Sequence, residues 1–268
     1  TVDKDAVVRN GIVPESMKDQ IVYENVWRIP ESVGYLYKND LMLLDFMATN
    51  NWTRAVYFTS LSDIKNVLGI DKYLHQEGLS HRFMPVLAYD YHKDAGGVYV
   101  DGSYELLMSD DISWGNLNLP DVSVDPESRR NVLFVKQAYM RLAQSLLNLH
   151  QNDSAILVLD KCQEFFPNEK IPYDFYMMAY PEIYYKAGAV EKGDKLINDI
   201  VDNMVDNLNY YSRLDDRFVS YYAEDIRENL AMINEMSNVA KKHNRLELSV
   251  SLENILEQEF NKFLGLFQ

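Results

Sequence analysis

The side chains best suited to chemistry in this sequence are five histidines, one cysteine and two pairs of adjacent aspartates, and their spacing limits what they can do. His75, His81, His92, His150 and His243 fall at no spacing that sets two imidazoles side by side as metal ligands. His75 and His81 flank Gly78 and could converge only if the chain turns there. Cys162 stands alone, which excludes an internal disulfide and a CxxC metal site. Asp110-Asp111 and Asp215-Asp216 read as loop and helix-start residues, because adjacency does not place two acids across a bond to be broken. No P-loop, GxGxxG, GxSxG, HExxH or EF-hand pattern occurs. No catalytic residue, metal or cofactor is expected from these residues.

The aromatic residues offer binding rather than reaction. Tyrosine occurs 19 times, with adjacent pairs at Tyr184-Tyr185, Tyr210-Tyr211 and Tyr221-Tyr222. Such rings stack on sugars, or serve as large core and rim residues between helices. Tyr184 and Tyr185 are the candidate binding pair. Asn51-Trp52-Thr53 and Asn152-Asp153-Ser154 match the N-glycosylation pattern, a three-residue pattern that chance often supplies.

The elements that must position these residues divide into two. The 268 residues hold 26 Lys+Arg against 41 Asp+Glu, a net charge of -15 that argues against nucleic acid as a partner. No apolar run of about 18 residues is present, so no membrane insertion is expected of this chain itself. Residues 1–128 carry 10 basic and 20 acidic side chains, and residues 129–268 carry 16 and 21. The Pro- and Gly-containing stretch from Trp114 to Glu127 closes the first part. The expected organisation is an α/β module over 1–128 and an all-α, tetratricopeptide-like helical repeat over 129–268.

In the first part, Ile21–Ile29 reads as a strand, and Asn39 as the cap of a helix with Leu41, Leu44 and Ala48 on its inner face. Arg54–Thr59 reads as a second strand, followed by a helix capped at Ser62 or Asp63 and a short helix over Ile70–Gln76. Arg82–Ala88 is a third strand that Pro85 confines to an edge or bulge. Val98–Val100 and Ser103–Met108 give an edge strand and a short helix. The β-α-β-α-β order predicts a small, mostly parallel sheet with packed helices.

In the second part, residues 136–169 fit a 34-residue helix pair. Tyr139 and Leu142 take large positions, Ala143, Ala155 and Cys162 small ones, and Pro167 ends the pair. Cys162 is thereby a packing residue. A looser copy follows, with Gly193 in the place of Ala155 and Pro181 at a small position where it should kink its helix. Two closing helices, about 215–242 and 246–265, form a third, degenerate pair or a cap.

Several segments together resemble a known family. They are Val2–Lys4 through Asn10–Pro14, Tyr37–Asp45, the run Ala48-Thr49-Asn50-Asn51-Trp52-Thr53-Arg54-Ala55-Val56-Tyr57-Phe58, Asp71–Leu74, Glu77–Leu79 and Trp114–Asn116, then Arg129-Arg130 and the helical tail. The chain is similar to the C-terminal region of a Bacteroidetes family of large multi-pass membrane proteins, whose membrane half resembles protein O-mannosyltransferases, glycosyltransferases of the C type. In that type the catalytic carboxylate lies in the membrane half, so the resemblance carries no catalytic residue onto this sequence. The family usually has proline after the arginine of the Asn-Trp-x-Arg run, where this chain has Ala55. The start at Thr1 fits a piece of something longer.

The resemblance implies a soluble extracytoplasmic tail on the periplasmic face of the inner membrane. Its partners would be its own membrane domain and an envelope protein or glycan acceptor. Asn50, Asn51, Trp52 and Arg54 are then candidate binding residues. Alternatively, Asn50-Asn51 turns helix into strand, Trp52 fills the core and Arg54 pairs with an acid. A protein-interaction scaffold unrelated to sugar transfer is the second functional class. A hydrolase using Thr59, Ser60, Ser62 and Asp63 at a strand end is the third.

Overall fold

A computed structural model describes the chain except residues 27, 30, 32, 60–68, 89–95, 118, 120, 267 and 268, and it divides into two compact units, Thr1–Ile112 and Ser113–Gln268. Among the described residues, no helix is long and apolar enough to cross a membrane.

The first unit opens with α1 (Lys4–Arg9), capped by Asp3, whose carboxylate accepts from the Ala6 amide at 3.0 Å. The strand expected over 21–29 is reduced to one antiparallel bridge, Ile21 with Val86. Both of these residues are buried, whereas Tyr23, Val26 and Ile29 are exposed, so β-forming side chains here meet no sheet face to pack on. Helix α2 (Lys38–Asn50) is capped by Tyr37 rather than Asn39, because the Asp40 carboxylate reaches back to the Tyr37 amide at 2.8 Å. Its packed face is Leu43, Leu44 and Met47, displaced from the expected Leu41 and Ala48, which are exposed.

The sheet has the order β1-β3-β2-β4, with β1 Val56–Phe58, β2 Leu74–Glu77, β3 Ser80–Phe83 and β4 Gly97–Val98. It is mixed rather than mostly parallel. Gly78, at φ 64°, reverses the chain between β2 and β3 into a hairpin, and β1 also pairs antiparallel with β3. Only β4 runs parallel to β2. The helix expected over 70–76 is one 3-10 turn, Asp71–Tyr73, running into β2. Pairing on both edges outweighs local preference there. β3 ends before Pro85, which lacks the donor to continue it. Helix α3 (Val100–Leu107) follows the edge strand. The helix expected from Ser62 or Asp63 lies outside the described residues, as do Ser60 and His92.

Two apolar clusters support this unit. Val7, Ile12, Val13, Ile21, Met84 and Val86 form one; Phe58, Ile70, Tyr73, Leu74 and Phe83 form the other. Trp52 packs against both.

The second unit is a series of helix pairs. α4 (Pro126–Asn148) starts at Asp125, which accepts from the Glu127 and Ser128 amides, with Pro126 in the first turn. It pairs with α5 (Asn152–Phe165), α6 (Tyr180–Ala187) with α7 (Val190–Tyr211), and, after α8 (Asp216–Tyr221), α9 (Ala223–Lys242) with α10 (Leu246–Asn261). The same turn closes all three pairs. His150, Gly188 and Asn244 are left-handed, at φ 59°, 90° and 60°. Each is followed by a residue near φ -90°, ψ 62°: Gln151, Ala189 and Arg245. Their amides donate to Leu146 O, Tyr184 O and Ala240 O, each at 2.9 Å.

Three equivalent small-residue pairs follow from that turn: Ala143 with Ala155, Pro181 with Gly193, and Ser237 with Ser249. In the third, the two hydroxyls lie 3.1 Å apart and buried. A side chain at Gly193 would put its Cβ 2.6 Å from the Tyr185 ring. Pro181 does not kink α6. It stands in the first turn, where the missing N–H costs nothing. Cys162 is buried beside Tyr180, Sγ to Oη 3.3 Å.

Candidate functional site

Asn50, Asn51, Trp52 and Arg54 form the turn from α2 into β1. Asn50 locks the turn. Its Oδ1 accepts from Thr53 Oγ1 at 3.0 Å and the Arg54 amide at 3.2 Å, and its Nδ2 donates to Arg54 O at 2.9 Å. Asn51 and Trp52 are both left-handed, at φ 40° and 61°. Asparagine tolerates that region; for a bulky residue it is rare. Trp52 is held by its ring, stacked on Phe83 with centroids 5.0 Å apart, and by its carbonyl, which accepts from Asn10 Nδ2 at 2.9 Å. Arg54 is exposed, and among the described residues no acid forms an ion pair with it.

Beside this turn lies a hollow of about 300 Å³ whose walls include Asn50, Asn51, Trp52, Leu44, Phe83 and Asn25. Arg54 is not one of its walls. Asn25 went unnoticed in the sequence, where a run of β-branched and aromatic residues masks it. Both of its amide atoms are closed off from solvent, and among the described residues neither has a hydrogen-bond partner.

Tyr184 and Tyr185 are 1% and 7% exposed, so neither presents a ring face for stacking. Their hydroxyls instead organise the helix pairs. Tyr184 donates to Asp160 at 2.8 Å and accepts from Gln163 at 2.5 Å. Burial, and then Asp160, pushes its phenol far up. Tyr185 donates to Asp194 at 2.7 Å and stacks on His243. Tyr184 is a wall of an open groove of about 470 Å³, shared with Asp160, Gln163, Asn168, Lys192 and Lys195. Lys192 pairs with Asp160 at 2.5 Å and Lys195 with Asp199 at 2.6 Å.

The other reactive residues do not converge. The hairpin register sets His75 opposite Arg82 and His81 opposite Gln76, so the two imidazoles leave opposite faces of the strands. His75 Nε2 lies 2.9 Å from Val86 O. Burial pushes the Cys162 thiol up to about 12, far from a thiolate nucleophile at neutral pH. Asp215 caps α8 by accepting from the Arg217 amide. Among the described residues, no group of three or more His, Cys, Asp or Glu is placed to hold a metal ion. What the two places offer is hydrogen bonding and ring contact.

None of the curated proteins and none of the solved structures matches the chain. Residues 1–101 match a family model described as TMEM260-associated domain 2, so the first unit is similar over most of its length to a domain of TMEM260-like proteins.

Proposed function

We propose that the chain is an accessory binding module of a TMEM260-like membrane protein, without catalysis of its own, whose helical unit takes an extended polypeptide acceptor. The groove of Asp160, Gln163, Asn168, Tyr184, Lys192 and Lys195 carries this reading. It is open, both of its lysines are paired with acids, and Glu164 and Glu169 make its walls net acidic, so it offers a peptide backbone both donors and acceptors. Successive helix pairs with small residues at their contacts support a tetratricopeptide-like scaffold, an architecture that presents extended grooves to partners. The resemblance of the Asn50–Phe58 run supports a place on the periplasmic face, next to a membrane half similar to protein O-mannosyltransferases, where the module would hold the acceptor.

The test is selection of the 268-residue chain against a displayed library of random 12-residue peptides, followed by NMR shift mapping. Enriched peptides should shift amides of α5 and α7 and lose about tenfold in affinity in Lys192→Glu, about 1.4 kcal/mol. Peptides that map elsewhere, or no enrichment, would defeat the groove reading. The unrelated-scaffold alternative predicts that removing this module from the full-length membrane protein leaves any sugar transfer unchanged.

A further inference from the structure

The hollow in the first unit combines features that packing alone does not explain. Thr1, at the start of the chain, is also a wall, but among the described residues no charged side chain is, so an ionic ligand would find no side-chain counter-charge. Trp52 and Phe83 supply ring surface, yet the Asn25 amide, buried and without a partner among the described residues, would remain unsatisfied beneath a purely apolar ligand. Asn50 is spent on the turn and Asn51 is exposed, which leaves Asn25 as the wall residue whose amide is buried without a partner among the described residues. Two successive left-handed residues, one a tryptophan, hold the indole at this place, and strain of that kind gathers at ligand sites.

We infer that this hollow is a binding site for a neutral saccharide, with Trp52 as the platform and Asn25 as the hydrogen-bonding residue. A pyranose has an apolar C–H face to lie on a ring, and adjacent hydroxyls that each donate and accept. The asparagine amide offers the matching acceptor oxygen and donor nitrogen. Both amide atoms are closed off without ligand, so binding requires the Asn25 side chain to change its torsions and turn the amide into the hollow. The inference shares the view of the chain as a binding module but rests on a different unit from the peptide groove.

Saturation-transfer NMR on the 268-residue chain tests it, with the methyl glycosides of glucose, galactose, mannose and N-acetylglucosamine as probes and acetamide as the amide control. At least one glycoside should receive saturation, mostly on the hydrogens of one ring face. Asn25→Leu should cut its affinity at least tenfold while leaving the melting temperature equal or higher, because the variant removes an unpaired buried amide. Trp52→Phe, which keeps an aromatic in both clusters, should weaken binding less. Three outcomes overturn the site: no transfer to any glycoside, transfer unchanged in Asn25→Leu, or transfer to acetamide alone. A fall in melting temperature for Asn25→Leu also overturns it, since the amide would then be serving the fold. Peptide binding should be unchanged in Asn25→Leu, so loss of the groove reading and loss of the saccharide site are separate results.

Discussion

In the second unit one backbone turn is used three times, whereas the first unit joins segments far apart in sequence by separate links. Helix pairs α4–α5, α6–α7 and α9–α10 each close on a left-handed residue and a 2.9 Å bond to the preceding helix. The first unit is tied by single links between segments far apart in sequence: Ile21 to Val86, Asn10 to Trp52, Tyr73 to Val26, and Arg82 to Gly11. Repetition spreads stability over many equivalent residues, while single links concentrate it in a few. The difference also bears on function, because Trp52, in the left-handed turn beside the hollow, packs against both apolar clusters and so joins them.

Removing it is the most severe way to break the comparison. Trp52→Ala deletes the ring shared by both apolar clusters and should cost about 3–5 kcal/mol. Hydrogen exchange should show protection lost from the β2 and β3 amides. If those amides kept their protection, stability in the first unit would be more widely spread than its contacts imply.

What the sequence revealed follows the same division. The helix pairs were legible because their signals are local: Ala143, Ala155, Cys162 and Gly193 are small residues within helical patterns, and all are buried. The third pair was less so, because Ser237 and Ser249 are polar residues at positions where the rule is size rather than polarity. In the first unit β1, β4 and α3 were legible, but the direction of the sheet was not. Residues 70–76 were read as helix because nothing local shows that β2 is paired on both sides. Of the candidate site, Asn50, Asn51 and Trp52 were found in the sequence and do line one hollow. Asn25 was not, since its significance is that no described residue bonds to its buried amide, and that is a property of three dimensions.

A milder change sharpens the argument about repetition. Gly193→Ala places a methyl group 2.6 Å from the Tyr185 ring, and that ring is fixed by its hydroxyl bond to Asp194 and its stack on His243. The expected loss is about 1–3 kcal/mol, read from urea denaturation. Ala155→Ser, at the matching place in the first pair, is the contrast: the third pair already holds Ser249 there, and that hydroxyl needs a partner such as Ser237, which Ala143 cannot supply. Equal tolerance at 155 and 193 would mean that the three pairs share a turn without sharing a tight contact.

The smallest effect concerns the ion cluster that links the second helix pair to the third. Glu182 on α6 lies 2.8 Å from both Lys186 and Lys242, the latter on α9. Burial alone would raise its carboxyl, but the hydrogen bonds from the two lysines outweigh burial and hold it at about 2, against an ordinary 4.5. The folded state therefore keeps the carboxylate ionised over a range in which the unfolded chain has already taken up a proton. The resulting stability is present in full above about pH 4.5 and is lost as the pH falls towards 2. Both lysines are largely exposed, so solvent screening reduces the contribution to about 1 kcal/mol. Glu182→Gln should accordingly melt lower than the parent chain at pH 6, with the difference closing as the pH approaches 2. A difference that stayed constant with pH would mean that Glu182 contributes through packing against its neighbours. The second and third pairs would then be joined by the Arg245–Asp194 ion pair, the Asn207–Asn229 hydrogen bond and apolar packing of the buried Ile197, Ile200, Ile226 and Ile233 on α7 and α9, with no ionic share from Glu182.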